Sequence, residues 1–203
     1  MALIEKLQEI KIKIAPKIYP TKLMQLFAED IEVEYLDLRN IDTSKCNQIS
    51  NLFSGCTNLK RVNMSSWDTT NIQSIAAWFS GCTSLEEVDL SNFNTKRFTT
   101  FRNWFYGCTS LKEISLDITN ATILNYVFKN CTSLVKIDFS GTENVKTNLD
   151  LSTTGLDRDG LLNMLDTLPI VTTTPTFTIG EEKMALLTEE EIALFAEKGY
   201  TLA

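Results

Sequence analysis

The sequence predicts an α/β repeat solenoid, with short helices on one face, a parallel sheet on the other and capping elements at both ends. Three observations carry that expectation. The phrase F-x-G-C-T-x-L-x-x-V-x-L at residues 79–90 recurs at 53–64 and 105–116, with a fourth copy at 128–139. A weaker copy at 27–38 keeps Phe27, Val33, Leu36 and Leu38 but lacks the Gly-Cys pair. The spacing is regular: Phe53, Phe79 and Phe105 stand 26 residues apart, and Phe128 follows after 23. Finally, apolar residues recur at helical spacing before each phrase and alternate with polar ones after it, so each repeat changes period from 3.6 to 2. Self-similarity at such a period marks units that cannot bury their apolar faces alone and stack into a shared core. One domain over 1–203 follows, with an N-terminal cap over 1–20, five repeats over 21–140 and irregular C-terminal repeats and a cap over 141–203.

In chain order, Leu3, Leu7, Ile10 and Ile14 fall on one helical stripe, although Ile10-Lys11-Ile12-Lys13-Ile14 fits a strand equally. A capping helix is the expectation here, because an end repeat has an apolar flank to cover and Pro16 and Pro20 then break the chain. Within the repeats, Leu23/Leu26/Phe27, Ile49/Leu52/Phe53, Ile75/Trp78/Phe79, Phe101/Trp104/Phe105 and Leu124/Val127/Phe128 fall at i, i+3 and i+4, one face of a short helix. Gly55, Gly81, Gly107 and Asn130 stand where a helix C-cap takes a positive φ. The strand after the turn points Val88 and Leu90 inward and Glu87, Asp89 and Ser91 outward.

Past Phe139 the pattern changes. A strand is expected over 148–152, too close to its predecessor for a helix between them. A longer amphipathic helix through Leu161, Leu162, Met164, Leu165 and Leu168 ends at Pro169, and a strand follows over 176–180. Thr188-Glu189-Glu190-Glu191 is a capping box opening a helix through Ile192 and Phe195, with Gly199 as its C-cap and Tyr200-Thr201-Leu202 as a closing strand.

The quoted phrases, with Leu90-Ser91-Asn92-Phe93-Asn94-Thr95 and Met64-Ser65-Ser66-Trp67-Asp68-Thr69 as their second halves, resemble the BspA-type leucine-rich repeats of bacterial surface proteins. The ending, Leu187-Thr188-Glu189-Glu190-Glu191-Ile192-Ala193 to Gly199-Tyr200-Thr201-Leu202-Ala203, is similar to the C-termini of repeat proteins from prophages and gut bacteria. The resemblance implies adhesion or recognition: members bind host matrix proteins, other bacteria or cell-surface polymers. It carries no catalytic residues. It implies a cell-surface or extracellular setting, whereas this chain shows no signal peptide or wall-anchor motif.

Composition narrows the function classes. The 203 residues carry a net charge of −7 and no Lys/Arg cluster, which disfavours nucleic acid and anionic membranes as partners. No apolar run nears the roughly 18 residues of a membrane span. The chain has no histidine, so Ser-His-Asp, Cys-His and His-metal chemistry have no basis. There is no phosphate loop or dinucleotide fingerprint, and Glu86/Glu87 and Glu181/Glu182 read as solvated carboxylates rather than a glycosidase pair. No cofactor is expected, and the chain reads as a non-enzyme.

Cys56, Cys82, Cys108 and Cys131 share one repeat position and should stand in single file, about 4.8 Å apart if they follow the strand spacing. A file cannot surround a zinc ion at about 2.3 Å, so no metal site is expected. Adjacent pairs have a spacing a disulfide tolerates. The simpler expectation is a small buried hydrophobe at each, Cys46 included. Trp78 and Trp104 belong to the apolar stripe, while Trp67 is open to either a core or a surface role.

The candidate binding face is the outward side of the strands: Tyr35, Asp37, Arg39, Arg61, Asn63, Glu87, Asp89, Glu113, Ser115, Asp117, Lys136 and Asp138. These residues read equally as plain solvated strand positions. As a face they are polar, mixed in sign and mildly acidic, suiting a basic protein patch or a sugar. The expected function is non-enzymatic recognition of a protein or glycan through that face. The alternative is a structural subunit of a cell-surface or phage-tail-like assembly.

Overall fold

The computed structural model describes residues 19–73 and 75–203. The expected capping helix through Leu3, Leu7, Ile10 and Ile14 lies outside them. Among the described residues seven short parallel strands follow one another: β1 (Tyr35–Asp37), β2 (Arg61–Asn63), β3 (Glu113–Ser115), β4 (Lys136–Asp138), β5 (Leu149–Asp150), β6 (Thr176–Thr178) and β7 (Thr201–Leu202). β1 pairs β2 with Leu36 opposite Val62, and β3 pairs β4 with Ile114 opposite Ile137. β6 pairs both β5 and β7.

The stripes expected as short helices are chains of turns instead. In the first repeat, Leu26, Ala28 and Asp30 donate their amides to the carbonyls three residues back, Leu23, Gln25 and Phe27. The intervening amides of Gln25, Phe27 and Glu29 donate to Ser50, Leu52 and Ser54 of the next repeat. Alternate amides thus serve the turn and the stack, a division a helix cannot make because its interior amides are spent four residues back. Segments this short also fall below the length at which a helix sustains itself.

The third residue of the first and of the last turn in each repeat is left-handed: Gln25, Asn51, Ala77, Asn103 and Tyr126 in one set, and Glu29, Gly55, Gly81, Gly107 and Asn130 in the other. The glycine of F-x-G-C therefore has the positive φ expected of it, +78° at Gly81, but as the third residue of a turn closed by Cys82 N–H on the Phe79 carbonyl. The inward positions survive the correction, since turns linked at three- and four-residue steps present the same side chains to the interior.

That interior is a ladder. The rings of Phe27, Phe53, Phe79, Phe105 and Phe128 stack face to face at centroid distances of 5.6, 5.0, 5.7 and 6.0 Å. Trp78 and Trp104 are wholly buried beside them. Trp67 is buried too, its indole N–H donating to the Leu38 carbonyl at 3.1 Å.

The polar residues of the repeat phrase bind across the stack. Thr69 and Thr95 are buried and accept amides of the following repeat, from Asn94 at 3.2 Å and Asp117 at 3.1 Å. The Thr83 and Thr109 hydroxyls donate to the carbonyls of Thr57 and Thr83. Each motif residue is therefore hydrogen-bonded to its counterpart's surroundings one repeat away.

The C-terminal quarter follows the sequence reading closely. Helix α1 (Arg158–Thr167) is capped by Asp157, whose side chain accepts the Gly160 amide at 2.8 Å. The step between β4 and β5 contains no helix. A four-residue helix not foreseen from sequence, α2 (Glu181–Met184), follows β6, and α3 (Glu189–Glu197) opens with the full Thr188/Glu191 capping box. Lys198 satisfies the end of α1, its ammonium donating to the carbonyls of Leu165 and Leu168 at 2.7 and 2.8 Å. Gly199 follows with a φ of +93°.

Candidate functional site

The strand face is interrupted in the middle. Residues 87–89 hold the strand position of the third repeat, yet join neither β2 nor β3 in a ladder. The chain stays tied in just before them, where the Glu86 amide donates to the Lys60 carbonyl at 3.1 Å. The continuous parallel sheet expected from sequence is thus divided, with a second break between β4 and β5.

A cleft of about 420 Å³ opens over the interruption. Val62, Val88 and Ile114 line it together with Arg61, Glu87, Asp89, Glu113, Ser115, Lys136 and Asp138. Val88, expected to point fully inward, is only half-buried and joins this lining. A neighbouring depression adds Tyr35 and Asn63, and a third places Asp117 beside Gly141. Of the twelve candidate face residues, ten are exposed, while Asp117 and Asp138 are half-buried. Asp37 and Arg39 stand at one end and pair with each other.

Several of these residues also hold the backbone. The side-chain oxygens of Asp37, Asn63, Asp89 and Asp138 accept the amide two residues on, from Arg39, Ser65, Ser91 and Ser140, at 2.7–3.2 Å. Asp150 does the same for Ser152. These local turns end β1, β2, β4 and β5 and the run 87–89, and explain the recurrent D-L-S. The Ser91 amide holds the Asp89 carboxyl below the ordinary aspartate range, and Asp37 is lowered by the Arg39 side chain and then by its amide. Glu87, Glu113, Arg61 and Lys136 are therefore the members of the face most free to serve a ligand.

Those four engage one another only loosely. Arg61 Nε lies 3.0 Å from Glu87 and its Nη2 3.7 Å from Glu86, while Lys136 Nζ lies 3.3 Å from Glu113. All are exposed, so such pairs contribute little to stability and remain available. Beside them Lys60 pairs with Glu34 at 2.8 Å. The sequence signal for this second row, which single-repeat reading misses, is the alternation Glu34, Lys60, Glu86, Lys112 at one repeat position.

The cysteines form no site. All five are free and buried. The thiols of Cys56, Cys82, Cys108 and Cys131 donate to the carbonyls of Phe27, Phe53, Phe79 and Phe105 one repeat earlier, at 2.8–3.1 Å. Burial pushes Cys131 up to about 12 and raises Cys108 well above its ordinary value. Cys82 is raised by its neighbour Cys56 and by burial. Cys56 alone is lowered, by its hydrogen bond with Cys82, and complete burial withholds it and the raised thiols alike from reagents. Among the described residues no cluster of three or more potential metal ligands occurs.

Comparison with known proteins places this geometry. A family model described as "Mycoplasma protein of unknown function, DUF285" matches residues 21–141, more than half of the chain. Among solved structures, the T. pallidum leucine-rich repeat protein TpLRR is similar with a TM-score of 0.52 at 16% identity, over 96% of this chain and 81% of that one. A leucine-rich repeat protein from Bacteroides ovatus ATCC 8483 gives a TM-score of 0.42 at 21% identity, over 83% of this chain and 50% of that one. No curated protein matches. The T. pallidum likeness shows a leucine-rich-repeat-like α/β fold of parallel strands and short connecting elements.

Proposed function

The chain belongs to the DUF285 family, and we propose that it is a non-enzymatic recognition module that binds a protein or glycan ligand through the exposed face of its strands. The observation that carries this reading is the cleft over residues 87–89, a recess rimmed by charged side chains around the half-buried Val88, on the outward face that repeat stacks use for binding. On this reading residues 1–203 form a single solenoid domain of the BspA type, displayed at a cell surface and serving adhesion. The absence of histidine and the inert thiols support a binding rather than a catalytic role.

Saturation binding of labelled protein to intact bacterial and epithelial cells tests it, comparing wild type with Glu87→Lys/Glu113→Lys. Both side chains are exposed and neither caps a strand, so the variant should fold. Saturable binding that the variant loses supports the reading; equal binding by both, or by neither, contradicts it.

A second reading, a structural subunit of a cell-surface or phage-tail-like assembly, draws on Ile170, Leu186 and Leu194, which leave 76%, 46% and 45% of their surface exposed near the C-terminal elements. A stable closed oligomer at micromolar concentration by light scattering favours it over the first.

A further inference from the structure

On the turn side the backbone bonds of the stack run in one direction, from each repeat to the next. From the second repeat to the fifth, three carbonyls at alternate residues accept amides of the repeat before. Ser50, Leu52 and Ser54 accept from Gln25, Phe27 and Glu29, and at the far end Asn125, Val127 and Lys129 accept from Asn103, Phe105 and Gly107. In the first repeat the same positions are Met24, Leu26 and Ala28, and among the described residues no amide donates to their carbonyls. The core of this flank is nevertheless dry. Phe27 ends the ring ladder, with Phe53 at 5.6 Å on one side and no ring on the other among the described residues, yet only 2% of its surface is exposed. A flank with a covered core and three acceptors in a row fits an occupant that offers amides at alternate residues and apolar side chains on one face.

A helix cannot be that occupant, because its interior amides are spent on carbonyls four residues back. An extended chain can: successive amides point to opposite edges, so residues i, i+2 and i+4 donate along one side and their side chains share one face. Before Tyr19 the sequence alternates in this way at Ile10-Lys11-Ile12-Lys13-Ile14, and its three β-branched residues favour a strand. Residues 15–23, at up to about 3.3 Å each, are long enough to bring Ile14 back to the flank. We propose that residues 10–14 lie extended along the outer flank of the first repeat, with the amides of Ile10, Ile12 and Ile14 donating to the carbonyls of Met24, Leu26 and Ala28. The three isoleucines then cover Phe27, and Lys11 and Lys13 stand in solvent. The segment closes the N-terminal end of the stack, withholding a row of acceptors along which a second copy would otherwise pair. The proposal is independent of what the strand face binds.

Hydrogen exchange of the full ¹⁵N-labelled chain, read residue by residue by NMR, provides the test. The amides of Ile10, Ile12 and Ile14 should exchange about tenfold or more slowly than those of Lys11 and Lys13, since only alternate amides are bonded. Uniform protection across residues 10–14 is the pattern of a helix and overturns the proposal, as does exchange of all five at the rate of an unstructured chain. Two proline variants separate pairing from simple coverage. Lys11→Pro removes an amide that the pairing does not use and should leave the melting temperature unchanged, whereas Ile12→Pro removes one that it does use and should lower it. Equal losses in the two variants overturn the pairing, and continued protection of the Phe79 and Phe105 amides shows that the stack is intact in both. If residues 10–14 exchange freely while light scattering shows a dimer that dissociates on dilution, the flank is a contact between copies and the assignment to residues 10–14 falls.

Discussion

The thiol of Cys82 donates to the main-chain carbonyl oxygen of Phe53 at 3.0 Å, one repeat earlier in the stack. That carbonyl also accepts the Cys56 amide, so it has two donors in a fully buried place. The relationship repeats at Cys56, Cys108 and Cys131, and it explains why a small residue with a weak donor occupies the position. The native protein should therefore resist thiol reagents. Ellman's reagent at pH 8 should label none of the five cysteines until denaturant is added. Cys82→Ala should cost about 1 kcal/mol or more, the net value of one hydrogen bond plus a small cavity. Denaturant titration of the variant checks the second figure.

Phe79 is stacked at 5.0 Å on Phe53 and at 5.7 Å on Phe105, with no exposed surface. Phe79→Ala should destabilise the protein by about 3–5 kcal/mol, because the rings above and below are held by their own backbone ladders and cannot close the gap. A loss under about 1 kcal/mol in equilibrium denaturation would contradict the stacked core.

Two glycines should differ in kind when changed. At Gly81 a Cβ has room, with Gly55 Cα 3.6 Å away, but φ is +78°. Gly81→Ala should cost about 1–2 kcal/mol from backbone strain alone, and Gly81→Asn less. At Gly155 a Cβ would collide with the Thr132 carbonyl of the neighbouring backbone, so Gly155→Ala should displace the chain and cost more. Thermal melts of the three variants give the order.

Asp37, Asp68 and Asp89 are all held below the ordinary aspartate range. For Asp89 the cause is the Ser91 amide and then its hydroxyl. A depressed native pKa means the unfolded chain binds more protons in acid. The stabilisation is therefore complete above the unfolded value of about 3.9 and is lost as pH falls through the lower native value. Asp89→Asn keeps the acceptor, as Asn63 does at the same repeat position, and removes the titration. It should be somewhat less stable than wild type at pH 7, where the carboxylate is the stronger acceptor, and fall less steeply below about pH 4 so that the two converge in acid, a comparison that denaturation at a series of pH values makes.

The repeat register and the buried positions were legible because the phrase fixes both. The turns were not, because side chains at i, i+3 and i+4 point inward in a helix and in a chain of linked turns alike. The discriminating residues were Asn51 and Asn103, which with Gly55 and Gly107 stand at the left-handed third positions. Alternation after the turn placed the outward residues, including Glu87 and Glu113, on one face. It did not reveal the interruption at residues 87–89, where the ladder fails on the β2 side, with Arg61 and Glu87 of opposite sign, as well as on the β3 side. Nor did it reveal that Asp37, Asp89 and Asp138 spend an oxygen on the backbone, because a short local turn leaves no periodic signal.

Specificity for the strand face is the claim on which the functional account stands. Its most direct test compares saturable cell binding by two double charge reversals, Glu87→Lys/Glu113→Lys on the strand face and Lys22→Glu/Arg102→Glu on the exposed turn side. The account predicts that the first abolishes binding while the second leaves the saturation curve unchanged. Equal losses in both variants would contradict specificity for the strand face, and loss only in the second would move the binding surface to the turns.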